Sequence, residues 1–131
     1  MRINTYITYK KSYEEDKQVD LLFRSNALNI INIYCYDEDD LLVDISGAAV
    51  TFLVKSNPTD KDDDAIINKT ITDLTNPACG NTLIEVEKLE TENLVGNYIY
   101  ELRIALAESG NEYILNQGNI CFMRSIYGIE S

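Results

Sequence analysis

The chain has 131 residues, 45% of them apolar and 25% charged, enough for one domain that buries roughly two thirds of its unfolded surface. Its 22 Asp and Glu outnumber 11 Lys and Arg, and the formal net charge of −11 opposes nucleic-acid backbones and anionic membranes, which call for clustered cations. Histidine is absent, which removes Ser-His-Asp and Cys-His catalysis and every His-containing zinc site.

The pattern along the chain has period two, the mark of half-buried strands. Strands are expected near residues 3–9, 19–24, 28–36, 48–55, 65–72, 82–88, 97–106 and 112–123. Residues 1–17 read as a separable N-terminal arm, with Arg2, Lys10, Lys11 and Lys17 against Glu14, Glu15 and Asp16, a net of +1. The body, residues 18–131, therefore carries −12. Within the arm, Ile3, Thr5, Ile7 and Tyr9 alternate with Asn4, Tyr6 and Thr8.

In the body, Ile31, Ile33 and Cys35 form one face of a strand, with Tyr34 and Tyr36 on the other. Ala48, Val50, Phe52 and Val54 alternate with Ala49, Thr51, Leu53 and Lys55. Ile84 and Val86 alternate with Glu85 and Glu87, and Tyr98, Tyr100, Leu102 and Ile104 with Glu101 and Arg103. Gly118, Ile120 and Phe122 alternate with Asn119, Cys121 and Met123. Turn signals separate the runs at Asp37 to Asp40, Ser46-Gly47, Asn57-Pro58, Asn76 to Asn81 and Ser109-Gly110-Asn111. One helical turn is expected near Leu89 to Leu94. Seven or eight short strands argue for an all-β, two-sheet antiparallel sandwich, with a small barrel as the alternative.

Cys35, Cys79 and Cys121 are an odd number, so one is unpaired in any disulfide scheme. The N-terminus has no apolar run of signal-peptide length, and no stretch approaches the ~20 apolar residues of a membrane span. Synthesis in the cytoplasm with reduced thiols is expected, with Cys35 and Cys121 serving as small buried hydrophobes.

The order of motifs from about residue 18 resembles the immunoglobulin-like sandwich of bacteriophage virion proteins. The likeness is to the N-terminal domain of phage baseplate upper proteins and related tail, fibre and capsid auxiliary modules. Asn32 to Asp37 followed by Val43-Asp44-Ile45-Ser46-Gly47-Ala48-Ala49-Val50 is similar to that family's strand, acidic turn and D-L-T-G-A-x-V entry. Thr51-Phe52-Leu53-Val54-Lys55 resembles its x-F-x-V-K strand, and Ile66 to Ile71 its I-x-K-T-V strand. Asn76 to Asn81, then Thr82-Leu83-Ile84-Glu85-Val86, is similar to its small-residue turn and following strand. Leu94-Val95-Gly96-Asn97-Tyr98-Ile99-Tyr100-Glu101-Leu102 resembles L-x-x-G-x-Y-x-Y-x-L, and Gly118 to Phe122 the closing G-x-F-x-V strand.

The resemblance implies an immunoglobulin-like antiparallel β-sandwich with an N-terminal extended arm, and a non-enzymatic structural role in the virion. Members of the baseplate type continue into a fibre or receptor-binding region. A chain of this length is therefore expected to be a capsid auxiliary (decoration) protein on the shell. A tail, baseplate or fibre adaptor is the alternative, and a carbohydrate-binding module for host attachment is the alternative from another class. The expected partners are other virion proteins, the major capsid protein or tail and fibre proteins, with a homo-oligomer also open. Neither nucleic acid, membrane nor cofactor is expected.

Interface residues are placed on the arm at Ile3, Tyr6, Ile7, Tyr9 and Tyr13, because tyrosine buries its ring while its hydroxyl stays bonded. The arm is expected to add a strand to a neighbouring subunit or to the sandwich's own edge. Its removal is expected to abolish attachment and leave the body's stability nearly unchanged. Tyr98, just after Gly96, is a natural tyrosine corner, and Tyr34 and Tyr36 are the candidate sugar platform.

The acidic runs Asp37-Glu38-Asp39-Asp40 and Asp60-Lys61-Asp62-Asp63-Asp64 do not match an EF-hand loop and read as solvated turns. The competing reading brings both runs to one end of the sandwich as a shared calcium site. Glu85, Glu87, Glu90 and Glu92 lie where like charges are ordinary, and no catalytic pair is assigned among them.

Overall fold

The computed structural model describes residues 20–36, 39, 41–107 and 112–124, and the backbone of residues 2–10. Eight strands run in chain order: β1 (Arg2–Lys10), β2 (Leu21–Arg24), β3 (Leu28–Tyr36), β4 (Ala49–Lys55), β5 (Ile67–Ile71), β6 (Asn81–Val86), β7 (Gly96–Ala105) and β8 (Glu112–Met123). A four-residue helix, α1 (Lys88–Thr91), separates β6 from β7. The alternation read from the sequence explains these strands. Val50, Phe52 and Val54 of β4 are 0% exposed, as are Ile31 and Ile33 of β3 and Ile84 and Val86 of β6.

Two sheets form the sandwich. One has the order β1-β3-β6 and the other β2-β8-β7-β4-β5. Counting β3, β4, β6, β7 and β8 as strands B, C, E, F and G of the immunoglobulin pattern puts B and E in one sheet and C, F and G in the other. The internal pairs are antiparallel, whereas β1/β3 and β2/β8 are parallel. The turn between β2 and β3 sends the chain from one sheet to the other. Asn26 takes φ +57° in that turn. Asn29, 0% exposed, holds it: its Nδ2 donates to Arg24 O (2.9 Å) and Ala27 O (3.3 Å), and its Oδ1 accepts from Arg24 N (3.1 Å).

An aromatic cluster fills the space between the sheets. Phe23 meets Phe122 edge-on at 5.7 Å and lies 5.9 Å from Phe52, which lies 6.2 Å from Tyr100. Each such contact adds roughly 0.5–1.5 kcal/mol beyond the area buried. Tyr98 joins through its ring, edge-on to Phe122 at 5.5 Å. The buried hydroxyl bond nearby belongs to Tyr100, whose Oη donates to Asn116 Oδ1 at 3.3 Å.

The β7/β8 register shifts between Leu102 and Arg103, which face Asn116 and Ile114. The extra residue is Leu115, and it and Asn116 are both buried, a β-bulge that interrupts the alternation of β8.

At the end of the sandwich where β3 finishes, Gly80 is locked between backbones. Cys35 N donates to Gly80 O (2.8 Å), Val43 N to Cys35 O (3.0 Å) and Ile45 N to Pro77 O (2.9 Å).

Candidate functional site

The N-terminal strand was the expected interface, and its backbone is bound to this chain's own β3. Ile3 sits in register with Asn29, Tyr6 with Asn32, Ile7 with Ile33 and Tyr9 with Cys35. Tyr13 lies outside the described residues. Of the two edges open to the arm, residues 2–10 take the sandwich's own. Among the described residues the opposite edge of β1 has no neighbouring strand.

The outward face of this sheet is poor in charge. Across β3 and β6 the only charged residue is Glu85. Tyr34, Tyr36 and Leu83 are half-buried there, and Ile30 is 7% exposed although its neighbours in sequence, Asn29 and Ile31, are the inward pair. Tyr34 and Tyr36 are thus set into a sheet face rather than raised above it.

Asp37, Glu38 and Asp40 of the first acidic run lie outside the described residues, and with them the shared calcium site. The second acidic run follows β4. It is more than a solvated turn, because its middle carboxylate is clamped. Asp62 Oδ1 meets Lys55 Nζ at 2.8 Å, and Asp62 Oδ2 meets Arg103 Nη1 at 3.0 Å. Arg103 Nε also donates to Glu101, and Lys55 Nζ donates to Asp60 O at 3.0 Å. Hydrogen bonds from Arg103 and then Lys55 hold the Asp62 carboxyl at about 2, below the ordinary 3.8. Among the described residues no group of three or more His, Cys, Asp and Glu gathers to hold a metal.

Beside this cluster, the outward face of the five-stranded sheet holds an open groove of about 360 Å³. Leu53 and Ile99 form its apolar floor, and Lys55, Pro58, Glu101 and Gln117 lie along it. Leu53 is 1% exposed on a face where β4 alternation calls for polar residues. That mismatch, together with Ile99, was the sequence signal for a groove, and the alternation argument passed over it. Lys55 and Glu101 are already bonded to Asp62 and Arg103, so the groove offers contact surface rather than unengaged charge.

The cysteines are all free thiols. Cys35 is buried, and burial pushes its thiol up to about 11. Cys121, expected inside, is only half-buried, because it pairs with Leu22 on the outward face of β8, and Cys79 is exposed.

Neither a family model nor a curated protein matches the chain. Among solved structures it is similar to the N-terminal domain of phage TP901-1 ORF48, with a TM-score of 0.52 and 10% identity over 95% of this chain and 99% of that one. It is also similar to auracyanin A, a blue copper protein of Chloroflexus aurantiacus (TM-score 0.44, 14% identity, 91% and 98% covered). A third likeness is to the cysteine protease inhibitor EhICP2 of Entamoeba histolytica (TM-score 0.38, 12% identity, 95% and 97% covered). At such identities the likeness is one of fold alone, and the last two are too distant to carry an argument.

Proposed function

We propose that this chain is a non-enzymatic structural protein of a bacteriophage particle, made in the host cytoplasm and carried in the virion. The observation that carries the reading is the end-to-end fold likeness to a phage domain, which accounts for 95% of this chain and 99% of that domain. The ordered motifs of the sequence support it from an independent direction. The mechanism is binding through the β1-β3-β6 sheet, whose strands carry only Arg2, Lys10 and Glu85 as charged residues. Backbone groups along the open edge of β1 supply strand addition, and the charge-poor outward face supplies apolar and tyrosine contacts. Acidic residues are concentrated in the loops, where they keep copies from associating at random.

Capsid decoration is the first station we assign, with the major capsid protein as partner. A tail or baseplate adaptor is the second. Counting copies in purified particles separates the two. Tens to hundreds per particle place the chain on the shell and a handful places it in the tail. Absence from purified particles overturns the structural reading altogether.

A further inference from the structure

We infer that β1 is an exchangeable strand, and that the β3 edge it occupies accepts β1 from a second copy of this chain. The inference rests on the structural reading above and names the partner of the N-terminal strand.

Three observations converge on it. The strand is held by one ladder, from Arg2 beside Leu28 to Lys10 beside Tyr36, and among the described residues nothing pairs with its other side. No tight turn ties it to that ladder either. The pair is parallel, so it lacks the short hairpin that binds antiparallel neighbours. Between Lys10 and Leu28 the chain visits the other sheet as β2, anchored to β8 from Leu21 beside Ile120 to Arg24 beside Met123. Residues 11–20 span up to roughly 35 Å when extended, enough to carry β1 off its own sandwich while β2 stays in place. Charge supplies the third observation. Residues 2–10 contain Arg2 and Lys10 and no acid, whereas residues 18–131 carry −12, so the strand is drawn to the body of any copy.

Identity of the copies makes the exchange balanced. A ladder formed between two chains repeats every backbone bond of the one formed within a chain, so only linker entropy and concentration separate them. Within a chain the effective concentration is on the order of millimolar, so exchange grows as the concentration of copies approaches that figure. Copies are then linked in series or closed into a ring.

The test uses the full chain and the register of Tyr9 beside Cys35. Neighbouring Cα positions in a ladder lie within disulfide reach. A donor carries Tyr9→Cys and Cys35→Ala, and a size-tagged acceptor keeps Cys35. Both carry Cys79→Ser and Cys121→Ser. A third protein with Tyr9→Cys and Cys35 on one chain reports closure within a chain, and circular dichroism confirms that each is folded. Oxidising donor with acceptor is expected to yield a covalent heterodimer whose share rises with concentration. Light scattering on the unmodified chain is expected to show species above 14.9 kDa over the same range. Closure in the third protein without any heterodimer overturns the exchange, and failure of both overturns the β1/β3 pairing it needs. Copy number in particles is read independently, so loss of the exchange leaves the structural reading standing.

Discussion

Gly80 occupies a position that no side chain fits. Its φ is +69°, and a Cβ there lies 2.6 Å from Val43 O, 2.8 Å from Cys35 O and 2.9 Å from Val43 N, the last two bonded to each other. Gly96 also has positive φ, +107°, but nothing stands within 4 Å of its would-be Cβ. Gly80→Ala is expected to cost roughly 3–5 kcal/mol, strain plus displaced backbone, and Gly96→Ala roughly 1–3 kcal/mol from strain alone. Urea midpoints at unchanged m-value check this, and equal losses would refute the packing argument. Asp62 yields a pH prediction. Because its folded-state value is depressed to about 2, its contribution is present above the ordinary 3.8 and is lost as pH falls through about 2. Asp62→Asn is expected to narrow its stability gap to the parent between about pH 5 and pH 2. Melting curves that stay parallel across that window would show that the clamp contributes nothing.

At the scale of elements, the edges decide what the sandwich can do. Lys69 of β5 reaches across to the other sheet, donating to Glu85 O on β6 and to Glu90 Oε1 at 2.8 Å. Glu90 Oε1 also accepts from Glu87 N at 3.0 Å, tying the start of α1 to the same point. Lys69 thereby covers the open edge of β6 with a charged side chain, a familiar guard against edge-to-edge pairing. Lys69→Met is expected to lower stability by about 1 kcal/mol, since the side chain is only partly buried, and to raise light scattering on heating. The N-terminal strand answers to the same logic. With nine ladder positions on β3, deleting residues 1–12 is expected to lower the melting temperature as well as abolish particle binding. An unchanged melting temperature would mean that β1 adds nothing to its own sandwich. Strand extents were legible from the alternation alone because each strand has one buried face. β8 was the exception: the bulge at Leu115 puts two consecutive residues inside, a feature set by the partner strand β7.

Across the whole molecule, acid is unevenly placed. Loops hold most of the carboxylates, while β3 and β6 hold only Glu85. Particle copy number, set out above, is the measurement that belongs to this scale, since it reads the assembly rather than any residue.

Composition and period two, by themselves, determined that the chain is all-β, roughly where its strands lie and most of the residues that fill its core. Burial on one face of a strand leaves a local trace that survives without any partner. The tertiary structure alone decided which groups are neighbours: that β1 lies parallel to β3, and that Asp62 is clamped by Lys55 and Arg103. Alternation is the same whether a strand pairs in parallel or antiparallel fashion, with its own chain or another. Pairing is a long-range choice made by the turns and the opposing edge, and no single stretch of sequence records it.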